Sequence, residues 1–407
     1  VTDTEGQDQS GDQLQEPNPL APHCVIAVPV RNELDRIGAC LHALAVQEEI
    51  EPEALGIVLF LNNCTDGTAE AVAELTPVLR VQVRVIEREF AGAHAGWARR
   101  EAMEAAAAWL DESLDEETAL EGVILTTDAD SRVPPDWVAR NLAALAQGAD
   151  AVAGTIALDA AEAACLPEAL HARGRLEGAY EAALIAIEAQ IDPVAHDPWP
   201  RHATRSGATL AVRLSAYRAA GGMPAILLGE DRAFVAALLA ADARVRHAPD
   251  IVVVTSGRLD GRAPGGAADT MRRRCEVPEG PCDPRLEPLW RALFRFAWQR
   301  RLRRLHAAGR LDRTGLWAPW LQIGADAARR IAALPTLGAR LAAIKAESPL
   351  LSARPLSPSA LPRHIRGAQV LLAGLQYGAR ALRILRGLSP RKPRPTLGQA
   401  SEPAGHA

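Results

Sequence analysis

Val123-Ile124-Leu125-Thr126-Thr127-Asp128-Ala129-Asp130 is the stretch on which the reading of this chain turns. Three apolar residues and two threonines follow one another without polar alternation, the pattern of a short strand covered on both faces. The run stops at two carboxylates one residue apart, which extended backbone turns to the same side. Upstream the same pattern recurs. Cys24-Val25-Ile26-Ala27-Val28-Pro29-Val30 is a first strand that breaks at Arg31-Asn32-Glu33, after which Ile37, Leu41 and Leu44 fall on a helical period. Gly56-Ile57-Val58-Leu59-Phe60-Leu61 is a second, ending in the polar turn Asn62-Asn63-Cys64-Thr65-Asp66-Gly67 before a helix over 68–75. Residues 81–86 read as a third, followed by a Gly/Ala-rich stretch and a helix over 97–110. The segment at 123 is then the fourth strand. Strands that alternate with helices and are each continuously apolar predict an α/β, Rossmann-like, mainly parallel sheet with helices on both faces.

Downstream the pattern loosens. Strands are expected at 151–156, 209–212 and 251–254, a long helical region at 162–189, and a helix at 232–241. Beyond about residue 266 the strand signals fade, and 286–347 and 365–386 are helical and rich in Leu, Ala and Arg. The expected organisation is an acidic disordered tail over 1–20, the α/β domain over 21–265, an α-helical C-terminal region over 266–386, and a tail over 387–407 containing Pro390, Pro393 and Pro395.

With 407 residues, 48% of them hydrophobic, the chain is long and apolar enough for a sizeable core, which argues against global disorder. A net charge of -5 gives no electrostatic reason for a nucleic-acid partner, and none is expected. Cys24, Cys40, Cys64, Cys165, Cys275 and Cys282 form no Cys-x-x-Cys pair, so reduced thiols are expected in place of a zinc centre or a disulfide framework. Residues 1–16 lack the apolar segment of a signal peptide, and the best uncharged run, between Arg366 and Arg380, is too short to span a bilayer. A cytoplasmic location follows as the expectation.

In open α/β sheets ligands bind beyond the carboxyl ends of the strands. Three such ends carry polar clusters here: Arg31-Asn32-Glu33, Asn62 to Asp66, and Asp128 to Asp130. The first strand lacks the Gly-x-Gly-x-x-Gly turn of a dinucleotide site, and no Walker-type loop is present. A nucleotide bound at this edge needs its diphosphate charge met by other means. Asp128 and Asp130 offer hard oxygen ligands for Mn²⁺ or Mg²⁺, which commonly take one or two carboxylates together with substrate phosphates. A strand-terminal Asp also caps turns; the position after the fourth strand favours the metal.

With these segments in order, the chain resembles the family 2 glycosyltransferases of GT-A fold over roughly residues 24–265. Val28-Pro29-Val30-Arg31-Asn32-Glu33 is similar to their opening "P-x-x-N-E" segment, and Asn62 to Thr68 to their "D-D-x-S-x-D-x-T" turn. Ala98-Arg99-Arg100 resembles "A-R-N", and Asp128-Ala129-Asp130 resembles "D-x-D". Ser206-Gly207-Ala208-Thr209, Gly221-Gly222 and Gly229-Glu230-Asp231 are similar to later family signals. The resemblance implies a metal-dependent hexosyltransferase that moves a sugar from a nucleoside-diphosphate donor to an unidentified acceptor hydroxyl with inversion. It implies that Pro29, Asn32, Glu33, Asn62 and Asp66 hold the base and ribose, and that Arg99 supports the nucleotide or its phosphates. Asp128 would touch ribose or metal, and Asp130 would be the main metal ligand. Asp231 would be the general base, with Glu230 beside it. Asn62 stands where the family has an acid, and Arg100 where it has Asn.

Two alternatives stand beside this reading: a nucleotidyltransferase of related fold, which would carry a Gly-rich basic loop that is absent here, and a catalytically silent nucleotide-sugar-binding protein. Retention of both aspartates and of Glu230-Asp231 speaks against the second. Arg258 and Arg262, in a Gly-containing loop after the last strand, are candidates to close over donor phosphates. His196, Trp199 and His202, in a Pro/His/Trp loop before Ser206, are weaker candidates for a donor or acceptor pocket, since Trp stacks on sugar rings. His247 reads as a structural histidine in preference to a third metal ligand. Arg291, Arg295, Arg300, Arg301, Arg303 and Arg304, interleaved with aromatic residues, read as a helix packed on the α/β domain, with peripheral contact to an anionic membrane as the alternative.

Overall fold

The computed structural model describes residues 22–115, 118, 121–261 and 265–387. The tails expected at 1–20 and beyond 387 lie outside the described residues, and so does Arg262. Seven strands, β1 (Cys24–Val30), β2 (Leu55–Asn62), β3 (Gln82–Arg88), β4 (Val123–Thr126), β5 (Ala151–Leu158), β6 (Leu210–Arg213) and β7 (Val245–Thr255), form one sheet in the order β3-β2-β1-β4-β6-β5-β7. β1 to β4 run parallel, β6 is antiparallel to both β4 and β5, and β5 and β7 are parallel. The sheet is therefore mixed and mostly parallel, as the strand–helix alternation requires.

The helices are α1 (Leu34–Ala45), α2 (Thr68–Leu75), α3 (Ala95–Ser113), α4 (Trp137–Ala146), α5 (Ala160–Ala164), α6 (Glu168–Ile191), α7 (Leu214–Ala219), α8 (Glu230–Ala240), α9 (Ala267–Glu276), α10 (Leu289–Ala307), α11 (Ala325–Ala332), α12 (Leu337–Glu347) and α13 (Leu361–Gly387). The two-residue period of the strands divides the core. Cys24, Ile26, Val28 and Val30 meet α1, α2 and α4 on one face, while Val25 and Ala27 meet α3, α7 and α8 on the other. Both faces being covered, every residue of β2 is buried. The helical region expected at 162–189 is two helices, because Pro167 lacks the N–H that a continuous helix would need. α4 had no counterpart in the reading of the sequence. β7 begins six residues before the stretch expected there, after which the β5–β7 register shifts between Ala153 and Thr155.

C-terminal to the sheet, α10 and α13 pack with α6 around Tyr180, Phe296 and Leu361, and α11 and α12 pack around Trp317 and Ile344. Some arginines of α10 bond within the protein, whereas Arg301 and Arg304 are exposed. Arg291 donates to Leu350 O and Ser352 O, Arg300 to Ile191 O, and Arg303 to Asp192. No described helix is long and apolar enough to cross a membrane.

Candidate active site

Parallel register brings the carboxyl ends of β1, β2 and β4 to one edge: Val30 is level with Leu61, and Ala27 with Thr126. β6, running the other way, starts at that same edge. Asn32 leaves β1 with φ 54, a left-handed conformation that Asn tolerates better than most residues. Its Oδ1 accepts from Thr65 N at 2.8 Å, and Thr68 Oγ1 accepts from Glu33 N at 2.9 Å. Asp66 accepts from Leu34 N and Thr68 N at 3.3 and 3.1 Å. Slight burial raises the Asp66 carboxyl, but the Thr68 hydroxyl and these amides outweigh it and hold the group below its ordinary value. Asn32 and Asp66 thus lock the first two strand ends together. Asn62 is 1% exposed, and its Oδ1 has no hydrogen-bond partner among the described residues.

Arg99, on α3, is 5% exposed and spends its guanidinium inside the protein. It pairs with Asp128, donates to Thr126 Oγ1 at 2.9 Å and to Gly207 O at 3.1 Å, and lies 3.4 Å from Glu230 Oε1. Burial works against its charge, but Asp128 and Glu230 outweigh it and hold it protonated. A Cβ at Gly207 would stand 2.6 Å from Arg99 Cζ and would push the guanidinium out of this arrangement. Arg258, after β7, makes a fork on Glu33, with one arm at 2.8 Å, and reaches Asp130 Oδ2 at 3.0 Å. Its loop is held by Glu162, whose Oε2 accepts from Ser256 Oγ at 2.7 Å and Gly257 N at 2.6 Å. Burial, then the charge of Asp128, pushes the Asp130 carboxyl up to about 6, with Arg258 opposing. A cavity of about 270 Å³ opens beside Asp130, lined also by Arg36, Arg132 and Glu162.

Among the described residues no group of three or more His, Cys, Asp or Glu side chains is arranged to hold a metal. The donor set still fits a hard divalent cation completed by phosphate oxygens: Asp130 is a carboxylate whose charge is disfavoured by burial and then by Asp128, the electrostatic condition that a cation relieves.

Asp231 sits in the first turn of α8, after Gly229 with φ 76. Its Oδ2 accepts from Gly207 N at 3.2 Å, so the segment that touches Arg99 also touches Asp231. Burial, then the charge of Glu230, raises its carboxyl pKa. Trp199 is 53% exposed. His202 is structural: its Nδ1 accepts from Thr204 N at 2.9 Å, leaving Nε2 to donate to Ala153 O at 3.1 Å. Burial, then neighbouring His247, pushes it down to about 4. His196 is held below its ordinary value by burial. His247 pairs through Nδ1 with Asp197 Oδ2 at 3.0 Å, a buried structural contact. All six cysteines are free.

The structure gathers Glu33, Arg99, Asp128, Asp130, Glu230, Asp231 and Arg258 into one network, while His202 and His247 serve the loop over 192–209. The reading of the sequence missed Thr126 and the clamp made by Glu162. Glu162 lies in an Ala-rich stretch that carries no local signal.

Residues 25–164 match glycosyl transferase family 2. The family 2 segment contains the first two strand ends, Arg99 and the Asp128/Asp130 pair; Asp231 and Arg258 lie beyond it. No curated protein sequence matches the chain. Among solved structures, it is similar to residues 1–349 of TarS from S. aureus in complex with UDP-GlcNAc, at 16% identity and a TM-score of 0.42. That alignment covers 60% of this chain and 61% of TarS 1–349. It is also similar to the mannosyltransferase PcManGT from Pyrobaculum calidifontis in complex with GDP-Man and Mn²⁺, at 21% identity and a TM-score of 0.43, over 80% of this chain and 86% of that one. The sheet itself is mixed and mostly parallel, covered by helices and followed by C-terminal helices.

Proposed function

We propose that this chain transfers a hexosyl group from a nucleoside-diphosphate sugar to an acceptor hydroxyl, with inversion at the anomeric carbon and with Mn²⁺ or Mg²⁺ bound at Asp128 and Asp130. The observation that carries this reading is the single network in which Arg99 joins Asp128 to the Gly207–Asp231 segment, so that a donor-side carboxylate and a buried carboxylate of raised pKa share one edge of the sheet. The ligands of the similar structures, UDP-GlcNAc for TarS and GDP-Man with Mn²⁺ for PcManGT, agree in donor class.

In this reaction the acceptor oxygen attacks the anomeric carbon, the bond from that carbon to the diphosphate oxygen breaks, and the acceptor proton passes to Asp231. The raised pKa of Asp231 suits a group that must take a proton and later release it. A bound metal supplies Lewis-acid stabilisation of the charge that develops on the departing diphosphate. Arg258, free to leave Asp130 and Glu33, meets the same phosphates. The unpartnered Oδ1 of Asn62 accepts from the nucleotide base or ribose. Arg99, its donors already engaged, fixes Asp128 and does not contact phosphate. The test is calorimetry of UDP and GDP binding with Mn²⁺ and with EDTA, in the native protein and in Asp130→Ala. Binding that needs the metal and is lost in the variant is expected; equal affinity in all cases removes the metal role.

A further inference from the structure

β7 ends at Thr255. Past it, two amides turn to side chains: Gly257 N donates to Glu162 Oε2 at 2.6 Å, and Arg258 N to Ser256 Oγ at 3.2 Å. The Ser256 hydroxyl donates in turn to the same Glu162 oxygen at 2.7 Å, while Oε1 takes Arg36 of α1 at 2.9 Å. Glu162 is itself fixed in the first turn of α5, where Asp159 Oδ1 accepts from its amide at 3.1 Å. The Ser256 hydroxyl foremost, then Arg36 and the Gly257 amide, outweigh partial burial and hold its carboxyl below the ordinary value, so the clamp is charged at neutral pH.

The far end of the same segment is the Arg258 guanidinium, on Glu33 at 2.8 Å and Asp130 at 3.0 Å. The two attachments differ in kind. Glu162 grips the Gly257 amide and the Ser256 hydroxyl, whereas Glu33 and Asp130 grip only the guanidinium. The Arg258 side chain can therefore turn from these carboxylates to an incoming diphosphate while its Cα stays in place. Ser256 and Glu162 both line the cavity beside Asp130, so the clamp stands at the site itself. Ordering a loop before its ligand arrives removes that cost from binding. We propose that Glu162 is a positioning residue for donor binding: by holding Ser256 and Gly257 it sets Arg258 where the diphosphate arrives. This role rests on the glycosyltransferase reading.

The test is calorimetric titration of UDP and GDP with Mn²⁺, at constant ionic strength, into the native full chain, Glu162→Ala, Arg258→Gln and the double variant. A nucleotide that binds the native protein should bind Glu162→Ala about tenfold more weakly, the lower end of what loss of an orienting partner costs at a metal site. The sign is diagnostic, because removing a carboxylate and freeing Arg36 would by charge alone tighten the binding of an anion. In the Arg258→Gln background the Glu162 change should count for less than about twofold, since its effect passes through Arg258. A merely structural role would weaken binding equally in both backgrounds. Unchanged or tighter binding in Glu162→Ala, or an equal loss in both backgrounds, overturns the positioning role alone. No nucleotide binding by the native protein overturns the transferase reading, and this role with it. Hydrogen exchange without ligand checks the clamp apart from that reading: the Gly257 amide should exchange faster in Glu162→Ala, and an unchanged rate overturns the clamp.

Discussion

Replacing Arg99 by Leu removes the one cation that ties the β4 end to the segments around Gly207 and Glu230. Its side chain is 6% exposed and that of Glu230 12%, so this pair belongs to the buried class. Removing one partner of such a pair typically costs about 3–5 kcal/mol, because the other charge is left buried and uncompensated. Asp128, at 34% exposure, is wet enough to be partly rehydrated and adds little. The bonds to Thr126 and Gly207 O are part of the same loss at about 1 kcal/mol each. The total expected near neutral pH is about 3–5 kcal/mol. Urea unfolding of both proteins near neutral pH measures this, with an unchanged m-value showing that native stability is what moved. A deficit below about 1 kcal/mol would refute the view that Arg99 is a buried tie.

Asp231→Asn should lower turnover by about a hundred- to ten-thousandfold while leaving donor affinity nearly intact, as steady-state kinetics paired with donor titration would reveal; full activity would move the base role elsewhere, Glu230 first. Arg258→Gln should weaken nucleoside-diphosphate binding by about tenfold or more, yet let Mn²⁺ alone bind more tightly, because Asp130 loses its internal cation. Mn²⁺ titration followed by electron paramagnetic resonance checks it, and weaker metal binding would contradict the arrangement. His202 is held neutral by burial, with a folded pKa of about 4 against 6.5 for an unperturbed imidazole. The unfolded chain therefore takes up a proton that the folded one refuses, and stability falls as pH drops from 6.5 toward 4, by up to about 3 kcal/mol. In His202→Asn that part of the pH dependence should disappear from the urea midpoints; a profile parallel to the native one rules it out.

The strands and their order of appearance were legible in the sequence, because an element buried on both faces must be apolar throughout and a parallel sheet must alternate strand with helix. Asp128, Asp130 and Glu33 could be singled out as candidates because each stands where a local pattern stops, and Asp231 through the family resemblance. Their arrangement was decided by tertiary structure. Only the sheet order brings Arg258 onto Glu33, across 225 positions, and only the packing of α3 under the Gly207 turn places Arg99, expected to support the nucleotide or its phosphates, as a buried tie. Glu162 had no local mark, and the antiparallel course of β6 has none either, because so short a strand carries no signal of its direction. Local pattern reports what a residue must be covered by, whereas which charge meets which depends on chain closure over long separations.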